Sequence, residues 1–577
     1  MVEYFRKTGK KIAEFQQRLR REIFPELFRE DLKQRQFWLF CIFAFMLALF
    51  CNSEAMWDFD AAKLNSWNKT MFRLFKTSFI PCFIREIFLL IGMYGATLLI
   101  PKRKYRVIIW SVLIFYLSLF AIGNTYMVTR YCCPANEMPI IINSTDLQEV
   151  REYFVSLLMN NKLFLFSAAA GVLLIPAGIV FALWKSPEPV HPRQTGIFLV
   201  ILAAAAMFIP PCRNGLIFWR NLNAVEFLYR LNETDFHLAS ADNAVHDPEL
   251  PAGVKDAFKG RTPVLAVVMI GESDNRHKHA LYGYGKNTEP AMSKYVNDPG
   301  FIRFSDALSP TASTQHSLYF MFSSALIKDQ DTPAKFGINE LLQQAGAKVH
   351  FLSNQRAHGA WCSMAALIFS RADELSFYTD GTVNTYDRLA LLPHVHERLD
   401  KFCAGIQQPT ALFAHLMGSH YEQVYRVDPQ WKKDNAKLLN GMDAYDQSVA
   451  YTDSILGEVT AKLAASEVPA FMIYLPDHSE TVPTNRSAKT PEAIYYEIPC
   501  YIYCNAAYRK AFPEILTALR AIADKPIQTD IAIFLIARLM NMPANIIPAK
   551  NDILTKDFVF APRLIGFGEK VYEKDQK

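Results

Sequence analysis

The sequence predicts an N-terminal α-helical membrane domain with five spans, followed by a C-terminal α/β domain with a mostly parallel sheet. The chain of 577 residues is too long for one compact core. Long apolar runs are concentrated before residue 211, whereas short apolar runs alternate with amphipathic stretches after residue 263. The net charge of +5 is too small to indicate a nucleic-acid partner.

Five apolar runs define the predicted membrane domain, residues 37–210. They lie at 37–52, 79–100, 107–127, 163–184 and 195–210. Several reach the roughly 20 residues that a bilayer crossing needs. Five such runs would leave a soluble fold with too little polar surface. Arg85 and Glu86 fall inside the second run. Two interpretations are open for them, a functional pair within the membrane and a pair near the lipid headgroups.

Basic residues set the predicted orientation. The N-terminal segment 1–36 and the loops at 101–106 and 185–194 are rich in Lys and Arg, so all three are expected in the cytoplasm. Five spans then place everything after residue 210 outside the inner membrane. The connector 211–262 combines a stretch of aromatic and Arg residues, typical of an interfacial helix, with a linker. A soluble domain is expected over 263–577.

Four short apolar runs predict the parallel strands of the soluble domain: 264–270, 347–353, 410–417 and 470–476. Ligands of such sheets bind beyond the carboxyl ends of the strands. Polar residues lie in or directly after the end of every run, namely Glu272, Asn354 with Gln355, His415 with His420, and Asp477 with His478. The polar residues at a single strand end are a weak signal. If the four strands are parallel, their ends meet at one edge of the sheet, and the polar residues together would form a binding site.

Two kinds of chemistry fit these residues. Glu272, Asp477 and His478 offer the oxygen and nitrogen ligands that Zn²⁺ accepts. Thr314 precedes a predicted helix that starts near Gln315, where the helix dipole favours an anion. At this point Thr314 is open to two interpretations, an activated nucleophile or a plain N-cap, and the residues alone favour the N-cap.

The chain resembles the phosphoethanolamine transferases of Gram-negative bacteria, which belong to the alkaline phosphatase and sulfatase superfamily. The resemblance rests on VVMIGESDNRHKHALYGYGKNTEP at 267–290, on a helix start rich in Ser and Thr, and on DHSE at 477–480. It covers the whole chain, because the family also has five N-terminal spans before a periplasmic catalytic domain. An alkaline-phosphatase-like fold is therefore expected.

The resemblance implies a role for each candidate residue. Glu272, Thr314, Asp477 and His478 would bind the catalytic Zn²⁺, with Mn²⁺ as the other metal considered, and Thr314 would be the nucleophile that becomes modified. The family's H-x-x-G-x-H stretch, which handles the substrate phosphate or a second zinc, matches His415 and His420. A polar pair near the substrate headgroup matches Asn354 and Gln355.

The resemblance also implies the substrates and the location. The donor would be the membrane lipid phosphatidylethanolamine, and the acceptor an envelope glycolipid, either a lipopolysaccharide core sugar or lipid A. The protein would be a multi-pass inner-membrane enzyme with a cytoplasmic N-terminus and a periplasmic catalytic domain.

Several positions depart from the family pattern. Many members hold the nucleophile between two cysteines, where this chain has Pro310 and Phe320. With only Cys362, Cys403, Cys500 and Cys504, the soluble domain resembles the disulfide-poor branch that acts on lipopolysaccharide core sugars; Cys500 and Cys504 could pair. Ser479 replaces a Gly, and Glu480 is expected to support the site rather than bind the metal. A downstream His is missing, and Arg486 or Lys489 is expected to take over part of its phosphate binding.

Three alternatives remain for the function. An enzyme like lipoteichoic acid synthase would transfer glycerol phosphate, usually with manganese. A sulfatase is disfavoured because TASTQHS at 311–317 lacks the Pro and Arg that a formylglycine precursor requires. A membrane-anchored binding protein with a degenerate site would contain no stoichiometric zinc.

Overall fold

The computed structural model describes a set of separate ranges: 80–113, 177, 192–206, 236–355, 364–378, 386–420, 423–481, 492–560 and 562–573. They belong to two compact units, one within 1–139 and 155–233 and the other within 140–154 and 234–577. The predicted span at 37–52 and the predicted interfacial helix at 216–231 lie outside the described residues, as do most of the spans at 107–127 and 163–184.

The first unit contains helix α1 (Ile80–Leu98) and helix α2 (Pro192–Ala206), and residues 103–113 are also helical. Helices α1 and α2 pack closely because glycines face the contact. A Cβ atom added at Gly95 would lie 2.7 Å from the Cβ of Leu199. Among the described residues, no helix combines the length and the apolar character that a membrane crossing requires.

The second unit alternates strands and helices. Its helices are α3 (Phe236–His246), α4 (Thr314–Phe322), α5 (Ile338–Gln344), α6 (Met364–Ile368), α7 (Asp387–Ala390), α8 (Leu392–Ala404), α9 (Pro429–Asp434), α10 (Ala444–Ala464), α11 (Ala506–Ala511), α12 (Pro513–Ile522) and α13 (Ala532–Leu539). Its strands are β1 (Leu265–Gly271), β2 (Phe301–Arg303), β3 (Ala307–Leu308), β4 (Lys348–Ser353), β5 (Glu374–Phe377), β6 (Thr410–His415), β7 (Ala470–Pro476), β8 (Glu497–Ile498), β9 (Tyr501–Cys504), β10 (Ile527–Gln528), β11 (Leu564–Ile565) and β12 (Lys570–Val571).

The central sheet has seven strands in the order β2-β9-β7-β1-β6-β4-β5. Strands β7, β1, β6, β4 and β5 are parallel, which confirms the four predicted strands and their predicted direction. Strand β9 runs antiparallel to β7 and to β2, so the sheet is mixed. The register pairs Ile270 with His415 and Gly271 with Pro476, which aligns the ends of three strands.

Strand β1 has an apolar core on both of its faces. Ala266, Val268 and Ile270 belong to the core that includes helix α4. Leu265 and Met269 alternate with them and belong to the core that includes helix α10. A strand buried on both sides needs a continuous apolar sequence, and this is why LAVVMI carries no polar residue until the strand ends.

Helix α3 packs in the first of these two cores. Ala241 and Ala244 are buried there together with Val254 and Phe258. The Ser240 hydroxyl lies 2.8 Å from the Tyr319 hydroxyl of helix α4. The packing of the α/β unit therefore includes residues that precede Pro263, the predicted start of the soluble domain.

Candidate metal centre and nucleophile

The carboxyl ends of strands β1 and β7 bring two acidic groups and one imidazole together. Glu272 follows β1, and Asp477 and His478 follow β7; all three side chains are fully buried. One ligand atom from each lies within 4.8 Å of the others. His478 Nε2 is 3.4 Å from Glu272 Oε1 and 3.2 Å from Asp477 Oδ2.

The orientation of the His478 ring leaves one nitrogen directed at the carboxylates. Its Nδ1 atom lies 3.0 Å from the Ser479 carbonyl oxygen, which can only accept, so Nδ1 carries the proton. In that tautomer Nε2 presents a lone pair to Glu272 and Asp477. Three acceptors that converge in a buried space are satisfied by a cation, and a hydrogen bond from Nδ1 to a carbonyl is the usual support for a ligating histidine.

The two carboxylates influence each other strongly. Burial opposes the charge of Glu272, but His478, His420 and the Ser273 hydroxyl outweigh it, and the pKa of Glu272 is lowered. Burial and the charge of Glu272 both raise the pKa of Asp477 well above its usual value. Asp477 Oδ2 accepts no hydrogen bond from the described residues. The residues therefore fit a divalent cation with oxygen and nitrogen ligands.

Thr314 is the first residue of helix α4 and points its hydroxyl at this cluster. Its Oγ1 atom lies 3.1 Å from Glu272 Oε2 and 3.3 Å from His478 Nε2. Ser313 occupies the N-cap position, and its side chain makes no capping hydrogen bond. The Thr314 hydroxyl is thus not the N-cap that the residues alone favoured, but a member of the buried cluster.

The backbone around Glu272 is tightly constrained. Ser273 adopts a left-handed conformation (φ 54°), and its hydroxyl donates to Glu272 Oε1 at 2.6 Å. Gly418, which follows β6, has φ 51°, and a Cβ atom there would lie 2.9 Å from the Glu272 carbonyl oxygen. A residue other than glycine, such as Ser273, is strained in this conformation, and such strain is typical of functional sites. At position 418 only glycine fits, because a Cβ atom there would collide with the backbone of Glu272.

The two predicted substrate histidines lie at the same edge of the sheet. His415 ends β6 and is buried, and among the described residues neither of its ring nitrogens has a hydrogen-bond partner. Burial lowers the pKa of His415 to about 4, so its ring is neutral at physiological pH. His420 follows β6 and helps to lower the pKa of Glu272.

Asn354 and Gln355, predicted as a pair at the substrate headgroup, have separate partners. The Gln355 amide donates to Glu272 Oε2 at 2.9 Å and therefore joins the cluster. The Asn354 amide donates to Asp387 Oδ1 at 2.8 Å. The two roles at the headgroup stay predictions.

Two residues that support the site were not predicted from the sequence. Asp387 accepts from the backbone N–H groups of Met417 and Gly418 at 2.8 and 3.0 Å and so fixes the loop after β6. Tyr445 binds the carbonyl of Ser273 and the N–H of Asn275. Both residues lie far from the site in sequence, and nothing in their local pattern indicates these contacts.

The remaining predictions concern Glu480, the cysteines and the two basic residues after the last strand end. The Glu480 carboxylate accepts from the N–H of Thr481 at 2.8 Å. Cys500 and Cys504 are free thiols rather than a disulfide pair. Arg486, Lys489 and Cys362 lie outside the described residues.

The second unit is an α/β domain with its candidate ligands at the carboxyl edge of the sheet. Residues 265–539 match the family described as Sulfatase, and the chain carries a domain of that family.

Several curated proteins that resemble this chain are named phosphoethanolamine transferases. EptC of Escherichia coli (strain K12) is 25% identical over 289 residues, which cover 45% of this chain and 48% of that protein. EptA of Helicobacter pylori is 26% identical over 470 residues, which cover 76% of this chain and 82% of that protein. The chain thus matches about half the length of the E. coli relative.

One solved structure matches most of the chain. The integral membrane protein lipooligosaccharide phosphoethanolamine transferase A (EptA) from Neisseria meningitidis has a TM-score of 0.60 and 17% identity, and covers 89% of this chain and 98% of that one. At this identity the match establishes a shared fold.

Proposed function

We propose that this protein transfers phosphoethanolamine from phosphatidylethanolamine, through a covalent intermediate on Thr314, to an envelope glycolipid. The observation that carries the proposal is the position of the Thr314 hydroxyl, 3.1 Å from Glu272 Oε2 and 3.3 Å from His478 Nε2 at the start of helix α4. The similarity to phosphoethanolamine transferases over 76% of the chain supports this choice of transferred group.

Glu272, Asp477, His478 and Thr314 would hold one Zn²⁺ ion. The buried acceptors and the tautomer of His478 support this assignment. A bound zinc ion would lower the pKa of the Thr314 hydroxyl and neutralise charge on the phosphoryl oxygens.

The first half-reaction forms a bond between Thr314 Oγ and the phosphorus atom and breaks the bond from phosphorus to the diacylglycerol oxygen. The hydroxyl proton faces Glu272 Oε2 and passes finally to the departing diacylglycerol oxygen. The N–H groups in the first turn of helix α4 stabilise the phosphoryl oxygens, and neutral His415 donates a hydrogen bond to one of them.

In the second half-reaction, a hydroxyl oxygen or a protonated phosphate oxygen of the acceptor forms a bond to the phosphorus atom while the bond from phosphorus to Thr314 Oγ breaks. The proton of the attacking oxygen passes to Thr314 Oγ by way of Glu272 Oε2, which restores the threonine hydroxyl. Both halves use the same donors, because the same phosphoryl oxygens carry charge in both transition states. A lipopolysaccharide core sugar or lipid A is the proposed acceptor.

We propose that residues 37–210 form a five-span domain in the inner membrane, that 211–262 connect it, and that 263–577 form a periplasmic catalytic domain. The shared fold with an integral membrane transferase over 89% of the chain supports this arrangement. A lipid donor gives a reason for membrane attachment, because a tethered enzyme meets its substrate at the bilayer surface.

The test uses the full-length protein in detergent, supplied separately with phosphatidylethanolamine and phosphatidylglycerol. Mass spectrometry of the peptide that contains Thr314 should show a phosphoethanolamine adduct with the first lipid only. Thr314→Ser retains a hydroxyl and should still be modified, whereas Thr314→Ala should not. An unmodified Thr314 in an active enzyme, or an adduct of glycerol phosphate, would contradict the proposal.

A further inference from the structure

The side chain of Gln355 joins the ends of three strands. Its Nε2 atom donates one hydrogen bond to Glu272 Oε2 at 2.9 Å, after β1, and a second to the Leu416 carbonyl at 3.1 Å, after β6. The backbone N–H of Gln355, after β4, donates to the Ser353 hydroxyl at 2.9 Å. Both side-chain acceptors belong to fully buried residues. Gln355 is therefore anchored at its backbone and at its tip.

The direction of the Gln355 amide is determined by its partners. A carboxylate oxygen and a carbonyl oxygen both require a donor, and the Nε2 group supplies its two hydrogens to them. Rotation of the amide by half a turn would place Oε1 against two acceptors, which is repulsive. The amide therefore acts at this site as a donor to the protein.

The two oxygens of Glu272 receive different donors. The Ser273 hydroxyl donates to Oε1 at 2.6 Å. Gln355 and the Thr314 hydroxyl both donate to Oε2, at 2.9 and 3.1 Å. Because both oxygens of the carboxylate accept hydrogen bonds, the torsion angle about the Cγ–Cδ bond of Glu272 is fixed. This torsion angle directs Oε2 to the Thr314 hydroxyl.

We propose that Gln355 is a positioning residue that acts through Glu272, setting the rotation of this carboxylate for the metal and for Thr314. The inference rests on the proposed metal centre. The sequence suggested that Gln355 contacts the substrate headgroup. In the proposed role, Gln355 contacts the metal ligand Glu272 instead. Residues that orient a metal ligand typically change metal affinity by about 10–100-fold when removed.

The test is the zinc affinity of the full-length protein in detergent, measured by competition with a chelating dye after the metal has been removed. Gln355→Met keeps the length of the side chain and removes both donors, and Gln355→Asn keeps the amide but shortens its reach. Gln355→Met should weaken zinc binding about tenfold or more, and Gln355→Asn should weaken it less. With saturating zinc, kcat should fall while KM for phosphatidylethanolamine changes little.

Gln343 provides a matched control. Its Nε2 atom also donates to one carbonyl and one carboxylate, the Arg371 oxygen at 2.9 Å and Asp373 Oδ2 at 3.1 Å, but these lie outside the metal centre. Gln343→Met should leave the zinc affinity unchanged. The melting temperature of the metal-free variants reports folding independently of zinc.

Three outcomes would overturn the inference. Unchanged zinc affinity in Gln355→Met, with a raised KM for the lipid, would make Gln355 a substrate contact. An equal loss of zinc affinity in Gln343→Met and Gln355→Met would show that the effect comes from a general loss of stability. A wild-type protein that binds no zinc would reject the proposed metal centre itself and, with it, this role.

Discussion

Two buried clusters of carboxylates and one histidine lie near the end of strand β1, and they differ in how the imidazole faces the carboxylates. In the first, His279 lies 2.9 Å from Asp274 Oδ1 through Nε2 and 2.8 Å from Glu289 Oε1 through Nδ1. The other Asp274 oxygen accepts from the Tyr474 hydroxyl, and the other Glu289 oxygen accepts from a backbone N–H group. Each ring nitrogen of His279 thus faces one carboxylate, and the protein itself places the imidazole between them.

The second cluster is the candidate metal centre. Here the Nδ1 proton of His478 is donated to a backbone carbonyl, and Nε2 alone faces both Glu272 and Asp477. Asp477 Oδ2 accepts no hydrogen bond from the described residues. Similar residues at a strand end thus form a structural ion pair when each imidazole nitrogen faces its own carboxylate, and offer a metal site when a single nitrogen faces two carboxylates.

The largest expected effect comes from Thr314→Ala. The variant keeps Glu272, Asp477 and His478 but removes the only atom proposed to bond to phosphorus, so transfer should fall on the order of 10³-fold or more. The rate of transfer from phosphatidylethanolamine at saturating zinc measures this, because Thr314 is also a proposed zinc ligand. Substantial remaining activity would show that another group is the nucleophile.

Asp477→Asn tests whether the second cluster is incomplete. The Asn oxygen can still accept from the N–H groups of Ser273 and His478, as Asp477 Oδ1 does at 3.0 and 2.7 Å. One repelling carboxylate is lost, so the metal-free protein should melt no lower than the wild type. Zinc affinity should fall about 100-fold or more, because this substitution removes a metal ligand and not a residue that positions one. A lower melting temperature of the metal-free variant would contradict the comparison.

His279→Gln tests whether the first cluster is a structural ion pair. The substitution leaves Asp274 and Glu289 buried without their positive partner, which should cost about 3 kcal/mol of unfolding free energy. Urea unfolding of the protein measures this. His246→Gln is the control, because the ion pair of His246 with Asp242 is exposed and should contribute less than about 0.5 kcal/mol. Equal effects of the two substitutions would argue against a structural ion pair at His279.

The pH dependence of the His279 contribution is a smaller effect. Burial opposes the charge of His279, but Asp274 and Glu289 outweigh it and raise its pKa from 6.5 to about 10. A pKa raised in the folded state adds stability that is complete below about pH 6.5 and is lost as the pH rises toward about 10. The difference in unfolding free energy between the wild type and His279→Gln should therefore shrink over that interval. A constant difference would show that His279 is neutral.

The sequence predicted the frame of the site because strand ends are local features. The apolar run LAVVMI ends at Glu272, and AFMIYLP ends before Asp477, so parallel pairing of β1 with β7 is sufficient to bring these groups together. The antiparallel strands β2 and β9 were not predicted, since they are short and lie far apart in the chain.

The support of the site could not be predicted, because it depends on contacts between distant segments. Gln355 reaches Glu272 across 83 positions of sequence, and Tyr445 reaches Ser273 across 172. No local pattern shows that an amide will face a carboxylate instead of a substrate. The left-handed conformation of Ser273 is equally hidden, since Ser carries no signal for it.

The most direct test of the central claim is an anomalous diffraction measurement at the zinc edge on crystals of the full-length protein grown with zinc. We expect a peak enclosed by Glu272, Asp477, His478 and Thr314, and none at His279, where the imidazole already lies between Asp274 and Glu289. A peak at His279, or an absence of zinc from the cluster around Glu272, would contradict it.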